Sequence, residues 1–314
     1  MKKALKITGK ILLGLLILLA VFLLSVFVCN KIMMKNEAPL LEKPLGQLVE
    51  VDGKNMCVYT EGSGDKTILF LSGSGTVSPI LDFRTLGSRL KDEYKLVVIE
   101  KFGYGFSDID GGERSFDTIL RQDREALAKL GIEAPFILCP HSMSGLEAIK
   151  WAQDYPDEVE AIIGLDVALP RSYDGFDFAG AEKYEKLGAA AREMGLIRLF
   201  YTDKALPQEL TADEKKLYKA LAAKIAVNED VINEGSAVPA VCADIDGKPL
   251  PDIPTLLFVS DGKEVADDNW AGIQRDYASK LSDSKVIELD CGHYVHNFEA
   301  DRISAEIKDF ISQH

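Results

Sequence analysis

The chain has 314 residues, 47% of them hydrophobic and 27% charged, which is typical of a globular protein with a large core and an additional segment. Its formal net charge of −14 leaves no basic surplus to neutralise phosphates, so nucleic acid is excluded as an expected partner. The five cysteines are scattered without CxxC pairing, which predicts neither a zinc site nor a disulfide framework; separate thiols are favoured over a Cys242–Cys291 bridge.

Residues 1–35 are predicted to form a separate membrane-anchoring unit. Four lysines stand in its first ten residues, at Lys2, Lys3, Lys6 and Lys10. The apolar run 11–29 that follows is close to the roughly 20 residues needed to cross a bilayer. A cleaved signal peptide is the alternative, but the run exceeds the usual apolar length of about 7–15 residues and no Ala-x-Ala-like site follows it. We therefore predict an uncleaved single-pass anchor, with the lysine-rich flank in the cytoplasm and the rest of the chain outside the cell membrane.

Strands and helices alternate in the next part of the chain. Residues 47–60 predict a hairpin around Asp52-Gly53. Apolar strands are predicted at 67–71, 96–99, 136–139 and 161–165, and helices at 116–130 and 145–155. Because these strands are apolar throughout, the pattern predicts an α/β fold with a mostly parallel, doubly wound sheet that is covered on both faces.

The alternation is interrupted between about residues 170 and 251. This segment is rich in Ala, Lys and Glu and predicts helices near 179–194, 211–226 and 229–237, without a strong strand. Strands resume at 255–260 and 285–289, with helices at 270–281 and 300–312. We predict one domain over residues 36–314, with a helical insertion at about 170–251 over one end of the sheet.

The segment that follows the strand 136–139 carries a candidate nucleophile. Ser142 lies in His141-Ser142-Met143-Ser144-Gly145, between that strand and a helix. A serine on a sharp strand-to-helix turn has the setting of a nucleophile elbow. Small residues are needed two places either side of it, because the strand and helix backbones nearly touch there. Ser144 meets this need, whereas Pro140 departs from the usual glycine.

A serine hydroxyl needs an adjacent base, which is itself oriented by a third group. His293 directly follows the last predicted strand, at the end of the sheet where ligands of open α/β sheets bind. His141 precedes Ser142 and its side chain is predicted to point away from that of Ser142, His296 is interpreted as a neighbour on the following turn, and His314 is the C-terminal residue. We predict that His293 is the base.

Four stretches in this order resemble the α/β-hydrolase superfamily over residues 47–314. They are Ser72-Gly73-Ser74-Gly75, the loop 103–108, the turn around Ser142, and Gly292-His293. The resemblance implies that Ser142 attacks a carbonyl and that His293 takes and returns the proton. It also implies an oxyanion hole formed by the backbone N–H groups of Met143 and Ser74, and no cofactor or metal. The helical insertion matches the family's cap domain, which usually shapes the substrate pocket.

The acid of the triad has two candidate positions. Many members of the superfamily carry it after the strand that corresponds to 255–260, where this chain has Asp261 and Glu264. Others carry it after the preceding strand, which here ends at Asp166. A carboxylate that ends an apolar strand is partly buried and needs a partner, so we favour Asp166.

The resemblance predicts a serine hydrolase that cleaves an ester or an amide through an acyl-enzyme. Its substrate would be a small molecule, a lipid or a peptide. Dehalogenases and epoxide hydrolases of the superfamily have an aspartate nucleophile, which Ser142 excludes here. Aminopeptidases of the proline iminopeptidase kind share the serine elbow and the helical cap, and are the first alternative. A catalytically silent hydrolase fold that serves as a binding module is the second.

Overall fold

The computed structural model describes residues 2–265 and 267–314, with side chains from Lys6 onward, so the side chains of Lys2 and Lys3 lie outside the described residues. An eight-stranded sheet in the order β1-β2-β4-β3-β5-β6-β7-β8 forms the centre. The strands are β1 (Gln47–Val51), β2 (Lys54–Glu61), β3 (Thr67–Leu71), β4 (Lys95–Glu100), β5 (Phe136–Pro140), β6 (Val159–Leu165), β7 (Thr255–Val259) and β8 (Ser284–Glu288).

Only β2 runs against the other strands. The β1–β2 hairpin turns at Asp52 and Gly53, whose φ angles of 51° and 77° are typical of a two-residue hairpin turn. The β2 strand then pairs antiparallel with β4, and each following pair, from β4–β3 to β7–β8, is parallel. The predicted mostly parallel α/β sheet is therefore confirmed.

Helices cover both faces of this sheet. In chain order, the α-helices of the described residues are α1 (Lys2–Glu37), α2 (Pro79–Asp82), α3 (Arg84–Leu90), α4 (Phe116–Lys129), α5 (Ser144–Asp154), α6 (Phe178–Met194), α7 (Ala212–Ile225), α8 (Glu229–Asp246), α9 (Trp270–Ala278), α10 (Val295–Phe298) and α11 (Ala300–Gln313). Successive side chains of a strand point to opposite faces. In β3, Ile68 and Phe70 accordingly pack in one apolar layer, and Leu69 and Leu71 pack in the other. This two-sided burial explains why the strand is apolar throughout.

The segment between β6 and β7 is helical, and we call its residues 170–251, with the helices α6, α7 and α8 and the turns between them, the helical insertion. The structure extends α8 beyond the predicted end at residue 237, through Pro239 to Asp246. Val238, Val241 and Ile245 in this extension are buried against the core, and this packing holds the helix together across the proline.

The α1 helix is the one described element that is long and apolar enough to cross a membrane; a signal sequence satisfies the same criteria. Its apolar side chains from Ile7 to Val28 are largely exposed. Near its C-terminal end the helix contacts α6 and α7. The helix thus leaves the body of the protein at the helical insertion.

Candidate active site

Ser142 occupies the turn between β5 and α5. Its φ of +55° lies in the left-handed region, which a non-glycine residue adopts only at some cost in free energy, about 1–3 kcal/mol. The neighbouring backbones come close on both sides. A Cβ atom at Gly73 would lie 2.7 Å from the Cβ of Ser142, and one at Gly145 would lie 2.5 Å from the carbonyl oxygen of Ala168. These two glycines therefore allow the loop after β3 and the chain after β6 to approach the turn.

The side chains of Ser142, His293 and Asp166 form one hydrogen-bonded chain. His293 Nε2 lies 2.9 Å from Ser142 Oγ, and His293 Nδ1 lies 2.6 Å from Asp166 Oδ2. A carboxylate only accepts hydrogen bonds, so Nδ1 carries the imidazole proton and Nε2 presents its lone pair to the serine hydroxyl. This tautomer is the one that a general base requires.

Asp166 is held firmly at the end of β6. It is fully buried and has a φ of +51°. Its Oδ1 accepts two more hydrogen bonds, from the backbone N–H of Ser260 at 2.6 Å and from Trp270 Nε1 at 2.7 Å. These donors compensate for the loss of water around the buried carboxylate. The sequence analysis missed the contribution of Trp270, because a tryptophan that begins a helix has no distinctive motif.

The two alternative acids, Asp261 and Glu264, contact groups other than the imidazole of His293. Asp261 Oδ2 lies 2.6 Å from Lys263 Nζ on the surface. Glu264 Oε2 accepts a hydrogen bond of 2.7 Å from the backbone N–H of His293. Glu264 therefore supports the loop that carries His293, whereas Asp166 contacts its ring.

Two further histidines pack around His293. The ring of His141 lies 4.6 Å from that of His293, centroid to centroid, and its Nε2 lies 3.2 Å from the His293 carbonyl oxygen. Burial and the neighbouring His296 and His293 hold the pKa of His141 well below its usual range, so this ring stays neutral. His296 is buried and pairs with Asp82 at 3.1 Å. Both residues are packing and hydrogen-bonding neighbours of the candidate site.

A cavity of about 260 Å³ opens beside Ser142. Both residues predicted for the oxyanion hole, Ser74 and Met143, line it. The helical insertion supplies the opposite wall, which includes Phe178, Glu182, Glu185 and Val238. Burial and the nearby Glu182 carboxylate raise the pKa of Glu185 to about 6. The cavity thus combines apolar and aromatic walls with two carboxylates.

A buried charge network connects the helical insertion with the core behind the cavity. Lys101, which follows β4, lies 2.5 Å from Glu234 of α8 and 3.3 Å from Glu147 of α5. Tyr104 donates a 2.7 Å hydrogen bond to Glu234 and accepts one from the backbone N–H of Gly75 at 3.3 Å. Burial opposes the charge of Lys101, but Glu234 and Glu147 outweigh it and raise the pKa of the ammonium group.

Sequence analysis missed this network, because Lys101 and Glu234 lie far apart in the chain. The two charged residues Glu100 and Lys101, which directly follow the apolar run 96–99, were the available signal.

Comparisons with known proteins support the α/β-hydrolase fold. No family model matches the chain. It is 35% identical over 312 residues to the uncharacterized protein YbdG of Bacillus subtilis (strain 168), covering 96% of this chain and 95% of that protein. It is 22% identical over 288 residues to Epoxide hydrolase 1 of Caenorhabditis elegans, covering 82% of this chain and 68% of that protein. Among solved structures, an esterase from Exiguobacterium antarcticum superposes with a TM-score of 0.64 at 17% identity, covering 85% of this chain and 99% of the esterase.

Proposed function

We propose that this chain, which belongs to the same family as YbdG of Bacillus subtilis and has the α/β-hydrolase fold, is a serine hydrolase that cleaves an ester or amide bond. The observation that carries the proposal is the hydrogen-bonded chain from Ser142 through His293 to Asp166 at the edge of a cavity. The esterase and epoxide hydrolase among the similar proteins support hydrolysis as the reaction class. Ser142 stands where an epoxide hydrolase would need an aspartate, so we favour an acyl-enzyme route.

In the proposed reaction, Ser142 Oγ attacks the substrate carbonyl carbon while His293 Nε2 takes the hydroxyl proton. The backbone N–H groups of Met143 and Ser74 stabilise the oxyanion of the tetrahedral intermediate. The intermediate collapses, the bond to the alcohol or amine breaks, and His293 returns the proton to that leaving group. A water molecule then attacks the acyl-enzyme by the same route, which releases the acid and restores Ser142. Asp166 stabilises the imidazolium that forms during acylation and again during deacylation.

A fluorophosphonate probe tests the proposal, because it reacts covalently with an activated serine. We expect the wild-type protein to be labelled, and expect Ser142→Ala to abolish the labelling while the protein stays folded. Ser144→Ala is the matched control, since the Ser144 hydroxyl is bonded to the carbonyl oxygens of Leu71 and His141 and takes no part in the proposed reaction. A well-folded wild type that is not labelled would contradict the proposal and favour a binding module.

The cavity also favours a second candidate, an aminopeptidase similar to proline iminopeptidase. Glu182 and Glu185 of the helical insertion line the cavity together with Ser142, where carboxylates can hold a substrate ammonium group. The test compares substrates that carry a free amino group with the same substrates after acetylation. Glu185→Gln should raise KM for the amines alone, and Glu193→Gln on the exposed side of α6 is the control. An equal loss of activity towards the free and the acetylated substrates would contradict the aminopeptidase and leave the ester or amide hydrolase as the proposed function.

We further propose that the helical insertion serves as the cap of this site and that α1 anchors the enzyme in the cell membrane. The exposed apolar surface of α1 supports a lipid environment. Lys6 and Lys10 at its start favour a cytoplasmic N-terminus, which puts residues 36–314 outside. Two measurements test the anchor and its orientation. They are carbonate-resistant sedimentation of the protein with the membrane fraction, and protease access to the folded domain from outside the cell. Release of the protein by carbonate would contradict the anchor.

A further inference from the structure

The C-terminal part of α1 is packed directly onto the helical insertion. Asn30 is only 2% exposed, although it follows a run of exposed apolar residues. Gly195, which ends α6 with a φ of +82°, accommodates it: a Cβ atom there would lie 2.4 Å from the Cβ of Asn30. The partly or fully covered residues of this part of α1 include Val26, Asn30 and Met34, which share one helix face. The contact therefore extends over more than one turn of α1.

Arg198, just after this glycine, strengthens the contact. Its Nε donates a 2.7 Å hydrogen bond to Asn30 Oδ1. Its two terminal nitrogens donate to both carboxylate oxygens of Glu37, at 3.0 Å and 2.7 Å. A bidentate arginine pair that is mostly sheltered from solvent fixes orientation as well as distance. The helical insertion is thus attached to α1 at a defined height and in a defined direction.

The length of the apolar run sets that height relative to a bilayer. At 1.5 Å per residue, the run from Ile11 to Cys29 measures about 28 Å, close to the hydrocarbon thickness of a bilayer. Lys31 lies over the ring of Phe27 at 5.3 Å, an arrangement suited to the boundary between lipid and water. In a membrane, Asn30 and the part of the helical insertion packed on it therefore lie at the outer boundary of the bilayer.

At this height the helical insertion presents large apolar side chains to the outside. Leu199 and Phe200 are 66% and 70% exposed, and they directly follow the Arg198 contact. The next residue, Tyr201, lines a cleft with Met33 of α1, so this segment stays beside the anchor. Phe and Leu are among the side chains that membrane-surface segments bury at the boundary between lipid headgroups and acyl chains.

We propose that Leu199 and Phe200 insert into the outer leaflet, so that the helical insertion forms a second membrane contact beside α1. The domain would then rest on the bilayer through this surface instead of standing off on a flexible stalk. The proposal depends on α1 spanning the membrane, but it does not depend on the chemistry of Ser142. The lipid surface is the partner that covers Leu199 and Phe200, because the attachment to α1 brings these two side chains to the bilayer.

Tryptophan quenching in the full-length protein, reconstituted into phosphatidylcholine nanodiscs, tests the proposal. Three single variants report three positions, namely Phe200→Trp, Phe22→Trp within the apolar run, and Tyr155→Trp. Tyr155 directly follows α5, lies against Arg124 and is 36% exposed, and it is the control for an exposed aromatic residue outside the segment that contacts α1. Each variant is measured with ordinary and with dibrominated phosphatidylcholine, and the wild-type emission of the two native tryptophans is subtracted.

We expect the added emission of Phe200→Trp and of Phe22→Trp to be shifted to shorter wavelength and mostly lost with brominated lipid, and that of Tyr155→Trp to be unaffected. Quenching of Phe22→Trp alone, with a water-like spectrum for Phe200→Trp, would overturn the second contact but keep the anchor. A blue-shifted but unquenched Phe200→Trp would overturn it in favour of a second copy of the chain covering this surface. No quenching of Phe22→Trp would overturn the anchor as well. Fluorophosphonate labelling of the same samples reports separately on the proposed function.

Discussion

Replacement of Asp166 by asparagine tests the proposed reaction most directly. The carboxylate accepts three hydrogen bonds of 2.6–2.7 Å, one from His293 and two at Oδ1 from Ser260 and Trp270. An asparagine that keeps its oxygen towards the two fixed donors must turn its NH₂ group towards His293 Nδ1. That nitrogen then has to accept, so the imidazole proton moves to Nε2 and the ring no longer takes the proton of Ser142.

We expect Asp166→Asn to lower kcat about 10⁴-fold, equivalent to about 5 kcal/mol of transition-state stabilisation. The assay is hydrolysis of a p-nitrophenyl ester, with the rate of fluorophosphonate labelling as a second readout. The exchange preserves shape and two of the three hydrogen bonds, so thermal unfolding should show a folded protein. Glu264→Gln is the matched control: its side-chain oxygen still accepts the backbone N–H of His293, and we expect less than a tenfold loss. A large loss with Glu264→Gln and a small one with Asp166→Asn would refute the assignment of the acid.

Three further predictions concern carboxylates. Because burial and Glu182 raise the pKa of Glu185 to about 6, KM for a cationic substrate should rise as pH falls through about 6; Glu185→Gln should remove this pH dependence in initial-rate profiles. Burial raises the pKa of Glu100 from 4.5 to about 7, so the folded protein binds this proton more tightly than the unfolded chain does. The free energy of unfolding should therefore fall by about 3 kcal/mol as pH rises from 4.5 to 7. Urea titrations at a series of pH values should show that Glu100→Gln lacks this decrease. An unchanged dependence of the free energy of unfolding on pH in this variant would contradict the prediction. Glu234→Gln removes the nearer of the two carboxylates that face buried Lys101 and leaves Glu147, so it should lower the free energy of unfolding by less than the roughly 3–5 kcal/mol of a fully uncompensated buried charge, measured in the same titration; a stability equal to the wild type would contradict a charged network.

The parts of the fold that were predictable from sequence are those with an unambiguous burial pattern. The strand at 67–71 matches β3 at both ends, because each of its residues is buried between two layers. The α/β-hydrolase fold itself is confirmed. The short helices α2 and α3 were missed, because segments of four and seven residues are too short for a clear helical period. The early end assigned to α8 was wrong, because packing of the later turns outweighs the effect of Pro239.

The candidate site was predictable in type but not in every residue. Ser142 follows a fully buried apolar strand and His293 follows the last strand, and the structure places them within hydrogen-bonding distance. The choice between Asp166 and Glu264 depends on sheet order, which sequence spacing does not contain. Since β6 and β7 are neighbours, with Leu165 opposite Phe258, both strand ends reach the imidazole loop. The catalytic roles stay predictions until the labelling experiments are done.

The ion pair between Lys101 and Glu234 also bears on how a substrate reaches Ser142. Moving α8 outward as a rigid body would separate two charges that are at most 2% exposed, and would release Tyr104 from Glu234 as well. Breaking a buried pair of this kind costs about 3–5 kcal/mol. By contrast, every residue of α6 is at least partly exposed, and this helix forms the other wall of the cavity. Substrate and product are therefore expected to pass beside the N-terminal half of α6, which lines the cavity, while α8 stays in place.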